Sequence, residues 1–405
     1  MTTSPSRSFT AQYAVHQSFY WMAYCGLFSF AAAYLLGRGF DTAQVGIILA
    51  LANLLSCLLQ PLAASIADRS VRLSLPQIIG AFTLLSALAL LALHFAALPP
   101  FLFAALYLAA GLLLDATQPL INALSVYYTS RGDQLDFGIG RGIGSMAFAV
   151  SSIGIGAAMK RFGGESMVLI SLFLLGCCIV VTLLYPRRDA PVPERSSASE
   201  TPQGQACTLA EFFRRYKLYC VSLLAVLFLA AFHSMTENYF ITLMESLGGD
   251  SRHVGVALAV ATIVEVPVFV FFTPIRRRVS TAKLLRISAL TFLVKAVVLL
   301  MARSIFAVYA AELLQATSYG LLIPAGVLYA QQSTAPQDMV KGQALFTAAY
   351  ALGCSCGNFL GGQLITAGGI RLLLQAGCGL AAAGTAILFA SIRGQKSSAF
   401  QTPVN

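Results

Sequence analysis

Two stretches of this chain, Leu75–Ala97 and Met167–Leu184, contain no Asp, Glu, Lys or Arg. An uncharged run of about 18 residues or more is long enough to cross the hydrocarbon core of a bilayer as a helix. The composition agrees. The chain has 405 residues, 58% of them hydrophobic and 10% charged, where a soluble domain carries about a quarter charged residues. So little charge cannot cover the surface of a soluble protein of this size. With lipid as the outer solvent the shortage disappears. The first apolar run, roughly Val15–Leu36, is itself long enough to span and lacks the short core and small-residue cleavage site of a signal peptide. The nine cysteines lie mostly inside apolar segments at spacings that match no metal or redox motif.

Twelve spanning helices are expected, near 13–36, 43–66, 74–97, 101–128, 138–159, 166–185, 216–244, 253–275, 282–301, 304–331, 340–366 and 369–392. The predicted fold class is an all-α polytopic membrane protein of two six-helix halves. Residues 1–186 form the first half and 214–405 the second. Residues 187–213 are polar and rich in Pro and Ser, and read as a flexible linker between them. With both termini in the cytoplasm, 18 Lys and Arg fall on the inner side and 6 on the outer, as the positive-inside rule requires. The net charge of +10 is therefore a topology signal and no sign of nucleic-acid binding. The expectation is a monomeric multi-pass protein of the cytoplasmic membrane.

The halves repeat. A shift of 209 positions lays Asp41 on Asp250, Val45-Gly46 on Val254-Gly255, Leu49-Ala50 on Leu258-Ala259 and Gly144 on Gly353. The basic loop at Asp68-Arg69 falls on Arg277-Arg278. Because six is even, both copies enter the membrane from the same side, as parallel repeats about an axis along the membrane normal. The register also pairs Ser56 with Glu265 and Arg141 with Tyr350, so the copies have diverged at their charged positions.

Two six-helix halves and a central linker resemble the major facilitator superfamily. Asp68, Arg69 and Arg72 resemble its loop after the second helix, without that motif's two glycines. Phe137-Gly138-Ile139-Gly140-Arg141-Gly142-Ile143-Gly144-Ser145 is similar to the signature opening helix five of lactose-permease-like symporters. Val264-Glu265-Val266-Pro267 is similar to their helix eight, and Gly342-Gln343-Ala344 with Ala349-Tyr350-Ala351-Leu352-Gly353 to their helix eleven. That branch includes oligosaccharide, nucleoside and phenylpropionate permeases. The resemblance implies the major facilitator fold, substrate anchoring by Arg141, substrate binding by Glu265, a proton step near Lys295 and Glu312, and a conformational loop at Asp68 and Arg69. Two positions depart from the branch. Asn122 stands where an acid often follows Pro-Leu-x, and Gln315 where lactose permease carries a histidine. Phe148 stands where that permease stacks a Trp on the sugar.

Six ionisable residues fall within the spans: Asp115, Arg141, Glu237, Glu265, Lys295 and Glu312. Each costs at least about 2.5–3.5 kcal/mol near the bilayer centre, so they should face a protein-lined cavity and pair with one another. Arg141 stays protonated, and its planar fork can hold two oxygens of a sugar or carboxylate; the alternative is a helix-end arginine bonded to Asp136. Glu265, between Val264 and Val266, can take or release a proton as a cavity opens to either side; the alternative is a structural pair with Lys295 or Arg141. Glu312–Lys295 is a further candidate pair. His233 and Glu237 share a helix face, but with no third or fourth ligand in view they make a poor metal site. The expected substrate-binding set is Arg141, Glu265, Asn122, Phe148 and Trp21. The expected proton-coupling set is Glu265, Lys295, Glu312, Glu237 and Asp115.

The function expected is secondary transport by alternating access: proton-coupled symport of a small organic solute such as a sugar, nucleoside or aromatic acid. The proton gradient is the driving ion and no cofactor is needed. Proton-coupled efflux of drugs or metabolites is the alternative, and helix five disfavours it mildly by carrying glycines without proline. No nucleotide loop, metal cluster or nucleophile–base pair points to an enzyme.

Overall fold

The computed structural model describes residues 9–70, 73–186 and 208–394, and every regular element among them is a helix. Arg7, Arg72, Arg187, Arg188, Arg195 and Lys396, which belong to the charge asymmetry, lie outside the described residues, as does the linker from 187 to 207. Ten helices are long and apolar enough to cross a membrane. The last, α15 (Met339–Gly394), has 56 residues and is two spans joined at Gly368 and Gly369, where Gly369 takes a φ of +71°. The first span is broken: α1 (Thr10–Tyr24), a π-helical turn at Cys25–Ser29, and α2 (Ala31–Gly37), bent by 49°. Taking α15 as two spans and the broken pair as one gives the expected twelve.

In the first half follow α3 (Thr42–Arg69), α4 (Leu75–Phe95), α5 (Pro100–Thr129), α6 (Phe137–Phe162) and α7 (Glu165–Leu183). The second half has α8 (Leu209–Arg215), α9 (Lys217–Asn238), α10 (Phe240–Ser246), α11 (Ser251–Arg278), α12 (Thr281–Met301), α13 (Ile305–Leu313) and α14 (Tyr319–Ser333) before α15. Two spans expected to be continuous are interrupted, at Tyr239 and at the 3₁₀ turn Leu314–Ala316. The end of the predicted linker is also ordered, as α8. Thr208 accepts from the Glu211 amide at 3.3 Å and the Glu211 carboxylate accepts from the Thr208 amide at 2.7 Å. This capping box starts a helix that buries Phe212 against Tyr216 and Tyr219.

The repeat has a structural counterpart. Asp41 caps α3 by accepting from the Gln44 amide at 2.8 Å, and Asp250 caps α11 by accepting from the Arg252 amide at 3.0 Å. In both halves the residue three positions on returns a hydrogen bond to the Asp amide, Gln44 at 3.0 Å and His253 at 3.1 Å. The turns before these caps need left-handed backbone, supplied by Gly39 (φ +89°) and Gly248 (φ +78°), again 209 apart. Arg252 holds the Asp250 carboxyl well below the usual carboxylate range, so this cap stays ionised across physiological pH.

Two glycines in each half, Gly46 and Gly156 in the first and Gly255 and Gly362 in the second, let the halves come together. A Cβ on Gly255 would fall onto the Ser152 carbonyl of α6, and one on Gly46 would lie 2.7 Å from the Asn358 carbonyl oxygen of α15. Around them Ser152 Oγ donates to the Gly255 carbonyl, Ser251 Oγ to that of Gly156 and Ser355 Oγ to that of Ala50, each at 2.9 Å. Thr42 and Thr366 share a hydroxyl bond of 2.8 Å, and Lys160 reaches Asp250 at 3.5 Å. These contacts lie at the end of the bundle opposite Phe9, Gln134 and Pro186, which cluster where the chain enters and leaves the first half. About four turns from Gly156 on the same face of α6, a Cβ on Gly142 would meet nothing within 4 Å. Among the described residues the hydrogen bonds and the ion pair that join the halves all lie at this face, so the halves are sealed there, away from the linker face.

Candidate functional site

Between the halves lies a cavity of about 390 Å³. Its wall follows the repeat. Tyr24 and His233, Phe28 and Glu237, Asn53 and Thr262, Ser56 and Glu265, Arg141 and Tyr350, and Ser145 and Cys354 all line it, and each pair is 209 apart. Pseudo-equivalent positions face one space because the two-fold relation between the halves passes through it.

On the first half, Arg141 lies with its guanidinium carbon 4.0 Å from the centre of the Trp21 ring, and its Nη1 donates to Ser145 Oγ at 2.8 Å. A cation over an indole face is held by the ring's quadrupole. Among the described residues Arg141 forms no ion pair. Asp136, its alternative partner, instead caps α6 by accepting from the Ile139 amide at 2.9 Å. Tyr24 and Phe28 stack at 4.3 Å beside Trp21, and Phe148 completes this aromatic side. Asp115 also lines the cavity, and its carboxylate accepts from Gln60 Nε2 at 2.8 Å.

On the second half, Glu237 and Glu265 line the cavity with Gln315, Tyr319 and Asn358. Lys295 and Glu312 do not; they form a buried pair at 2.8 Å, with 1% and 0% of their side-chain surfaces exposed. Gln315 links this pair to the cavity. Its Oε1 accepts from Lys295 Nζ at 2.7 Å and its Nε2 donates to Glu237 Oε1 at 2.9 Å. Lys295 also approaches Glu237 at 3.8 Å, and His233 Nδ1 lies 3.4 Å from the same carboxylate. Of the expected pairs, Glu312–Lys295 forms and Glu265–Lys295 does not, because Gln315 and Glu237 stand where Glu265 would have to reach. Among the described residues the Glu312 Oε1 has no hydrogen-bond partner. Lys295→Met should thus leave two carboxylates without their cation and cost about 3–5 kcal/mol, read as a lower melting temperature in detergent. Lys295→Met with Glu312→Gln should recover most of it.

Asn122 was expected to touch solute. It does not line the cavity; its Oδ1 accepts from Gln17 Nε2 at 3.2 Å. The helix face predicted to carry a substrate contact is spent on packing against α1. Asp68 and Arg69 lie exposed at the end of α3, away from the cavity. Tyr24 lines the wall beside Trp21, as the aromatic cluster of α1 allows, while Phe28, Tyr319 and Asn358 are wall residues outside the expected set. The repeat would have found one of them, since Phe28 answers Glu237. Among the described residues no cluster of metal-ligating side chains occurs.

Two parallel six-helix halves around a charged, aromatic cavity sealed at one end define a secondary transporter of the membrane. The sequence matches the family model described as "MFS_1 like family" over residues 11–376, and the chain belongs to that family of the major facilitator superfamily. No curated protein matches the sequence significantly. Among solved structures, the nucleoside transporter NupG superposes with a TM-score of 0.79 at 15% identity, covering 95% of this chain and 99% of that one. A bacterial homolog of the human lysosomal transporter Spinster, in an inward-facing and unoccupied conformation, gives 0.68 at 14% identity over 95% and 96%. The POT family transporter PepTSo gives 0.67 at 12% identity over 95% and 97%.

Proposed function

We propose that this transporter carries a neutral, hydroxylated solute with a flat ring, of the nucleoside class, together with protons by alternating access. The observation that carries the reading is Arg141, stacked on Trp21 with no acidic partner, in a cavity whose other ionisable wall residues include Asp115, Glu237 and Glu265. A hydroxyl group both accepts and donates, so a polyol can take N–H bonds from Arg141 and give O–H bonds to Glu265. A free carboxylate would meet three acids in the same space. The aromatic side of Trp21, Tyr24 and Phe28 suits the face of a ring. Asn358 Nδ2 is a buried donor with no partner among the described residues, and it suits a solute oxygen.

Proton coupling is supported by an excess of acids. Among the described residues of the spans, the acids Asp115, Glu237, Glu265 and Glu312 outnumber the fixed cations Arg141 and Lys295, and so much uncompensated charge inside a membrane is tolerated only with protons or counter-ions. With both termini in the cytoplasm, the linker face is the inner one and the cavity is open inward. Proteoliposomes with an imposed inward proton gradient should accumulate radiolabelled uridine, and a protonophore should collapse it. Uridine uptake that ignores the protonophore would remove proton coupling, and accumulation of an aromatic acid in its place would overturn the solute class.

A further inference from the structure

Trp21 is the only tryptophan in the chain, and its ring is fixed from behind. Its Nε1 donates to Gln17 Oε1 at 2.9 Å, and Gln17 is 1% exposed. An indole N–H can only donate, so the amide of Gln17 must present its oxygen there. The Gln17 Nε2 is thereby aimed the other way, at Tyr13 Oη (2.6 Å) and Asn122 Oδ1 (3.2 Å). One buried amide thus ties the cavity-facing ring of α1 to α5. Gly144 of α6 makes the room: a Cβ there would stand 2.9 Å from Trp21 Cδ1 and 3.2 Å from Gln17 Cβ.

We infer that Gln17 is a positioning residue of the solute site: by holding the Trp21 indole through its N–H, it sets the plane on which the Arg141 guanidinium lies and so the direction of the arginine's free N–H groups. The inference rests on the proposed role of Arg141 as solute anchor. A stacked guanidinium can slide over a ring that turns, but a ring held at its edge gives one orientation. Gln17 does not itself line the cavity, so its effect on the solute passes through Trp21.

The test uses the full-length protein in proteoliposomes with uridine as probe, and the intrinsic fluorescence of Trp21. Gln17→Leu removes the acceptor and keeps the bulk; Gln17→Glu keeps an acceptor. Loss of one orienting hydrogen bond should raise KM about tenfold in Gln17→Leu, with Vmax changed less than about twofold. Its Trp21 emission should shift and become more open to acrylamide quenching. Gln17→Glu should return both readouts most of the way to wild type. Gln17→Met replaces Gln17→Leu under the same criteria if the latter does not reach the membrane. A Gln17→Leu protein with wild-type KM and wild-type quenching overturns the inference. Arg141→Gln separates the layers: if that variant keeps its KM, the reading of the site fails; if it loses uptake while Gln17→Leu is unaffected, only the positioning role fails.

Discussion

Glu265→Gln should abolish uphill uptake while leaving solute exchange across the membrane largely intact. The amide keeps the shape and hydrogen-bonding capacity of the carboxyl but cannot bind or release a proton. A membrane potential of 100 mV supplies about 2.3 kcal/mol per charge moved, enough for about 50-fold accumulation if one proton accompanies each solute. The variant should therefore fall from about 50-fold to no accumulation, with counterflow kept within a few-fold of wild type. Parallel assays of proton-driven uptake and counterflow in one proteoliposome preparation measure this. Full accumulation by the variant would move the coupling role to Glu237, Glu312 or Asp115. Glu265 is the first candidate because it lines the cavity without an ion pair among the described residues, whereas Glu237 is tied to Gln315 and Glu312 to Lys295.

Gly255→Val should reduce turnover by about 5- to 150-fold. The Cβ alone would land on the Ser152 carbonyl, so the two halves could not close at the sealed face without moving backbone. Overpacking of this kind costs about 1–3 kcal/mol, and about 3 kcal/mol is more than a hundredfold in a conformational equilibrium. Gly154→Ala, two residues from Ser152 on a different face of α6 and with nothing within 4 Å of the added Cβ, should be close to neutral. Initial rates of uptake for the two variants decide the matter. Equal loss in both would mean that glycine content, and not close approach, is what α6 and α11 require.

Much of the architecture was legible because lipid simplifies the problem. Runs such as Leu75–Ala97 could only span, and the 209-residue register located Asp41 and Asp250, which cap equivalent helices. The orientation of each helix about its axis was less legible. A spanning helix can be apolar on its lipid face and on its packed face alike, so periodicity does not mark which side is inside. Polar residues mark it, but a polar residue within the membrane satisfies itself equally well on solute or on another buried side chain. Asn122 and Trp21 looked alike on that criterion; both bind Gln17, but only Trp21 also forms the cavity wall. Lys295 and Glu312 were rightly joined but misplaced by a layer, since spacing alone cannot tell a cavity wall from the packing behind it. The breaks at Cys25–Ser29 and at Leu314–Ala316 carry no proline to announce them.

Two of the hydroxyls at the sealed face have a second option. Ser152 Oγ donates at 2.9 Å both to Gly255 across the interface and to Ala149 in its own helix, and Thr366 Oγ1, which meets Thr42, also reaches the Gly362 carbonyl at 3.0 Å. When the halves part, these groups fall back on acceptors already within reach, so neither donor is stranded and rupture costs less than the bonds' apparent strength. A carrier cycles thousands of times without fuel of its own, and its two end states must lie close in energy for that. Swivelling hydroxyls let this interface be watertight when shut and still easy to leave.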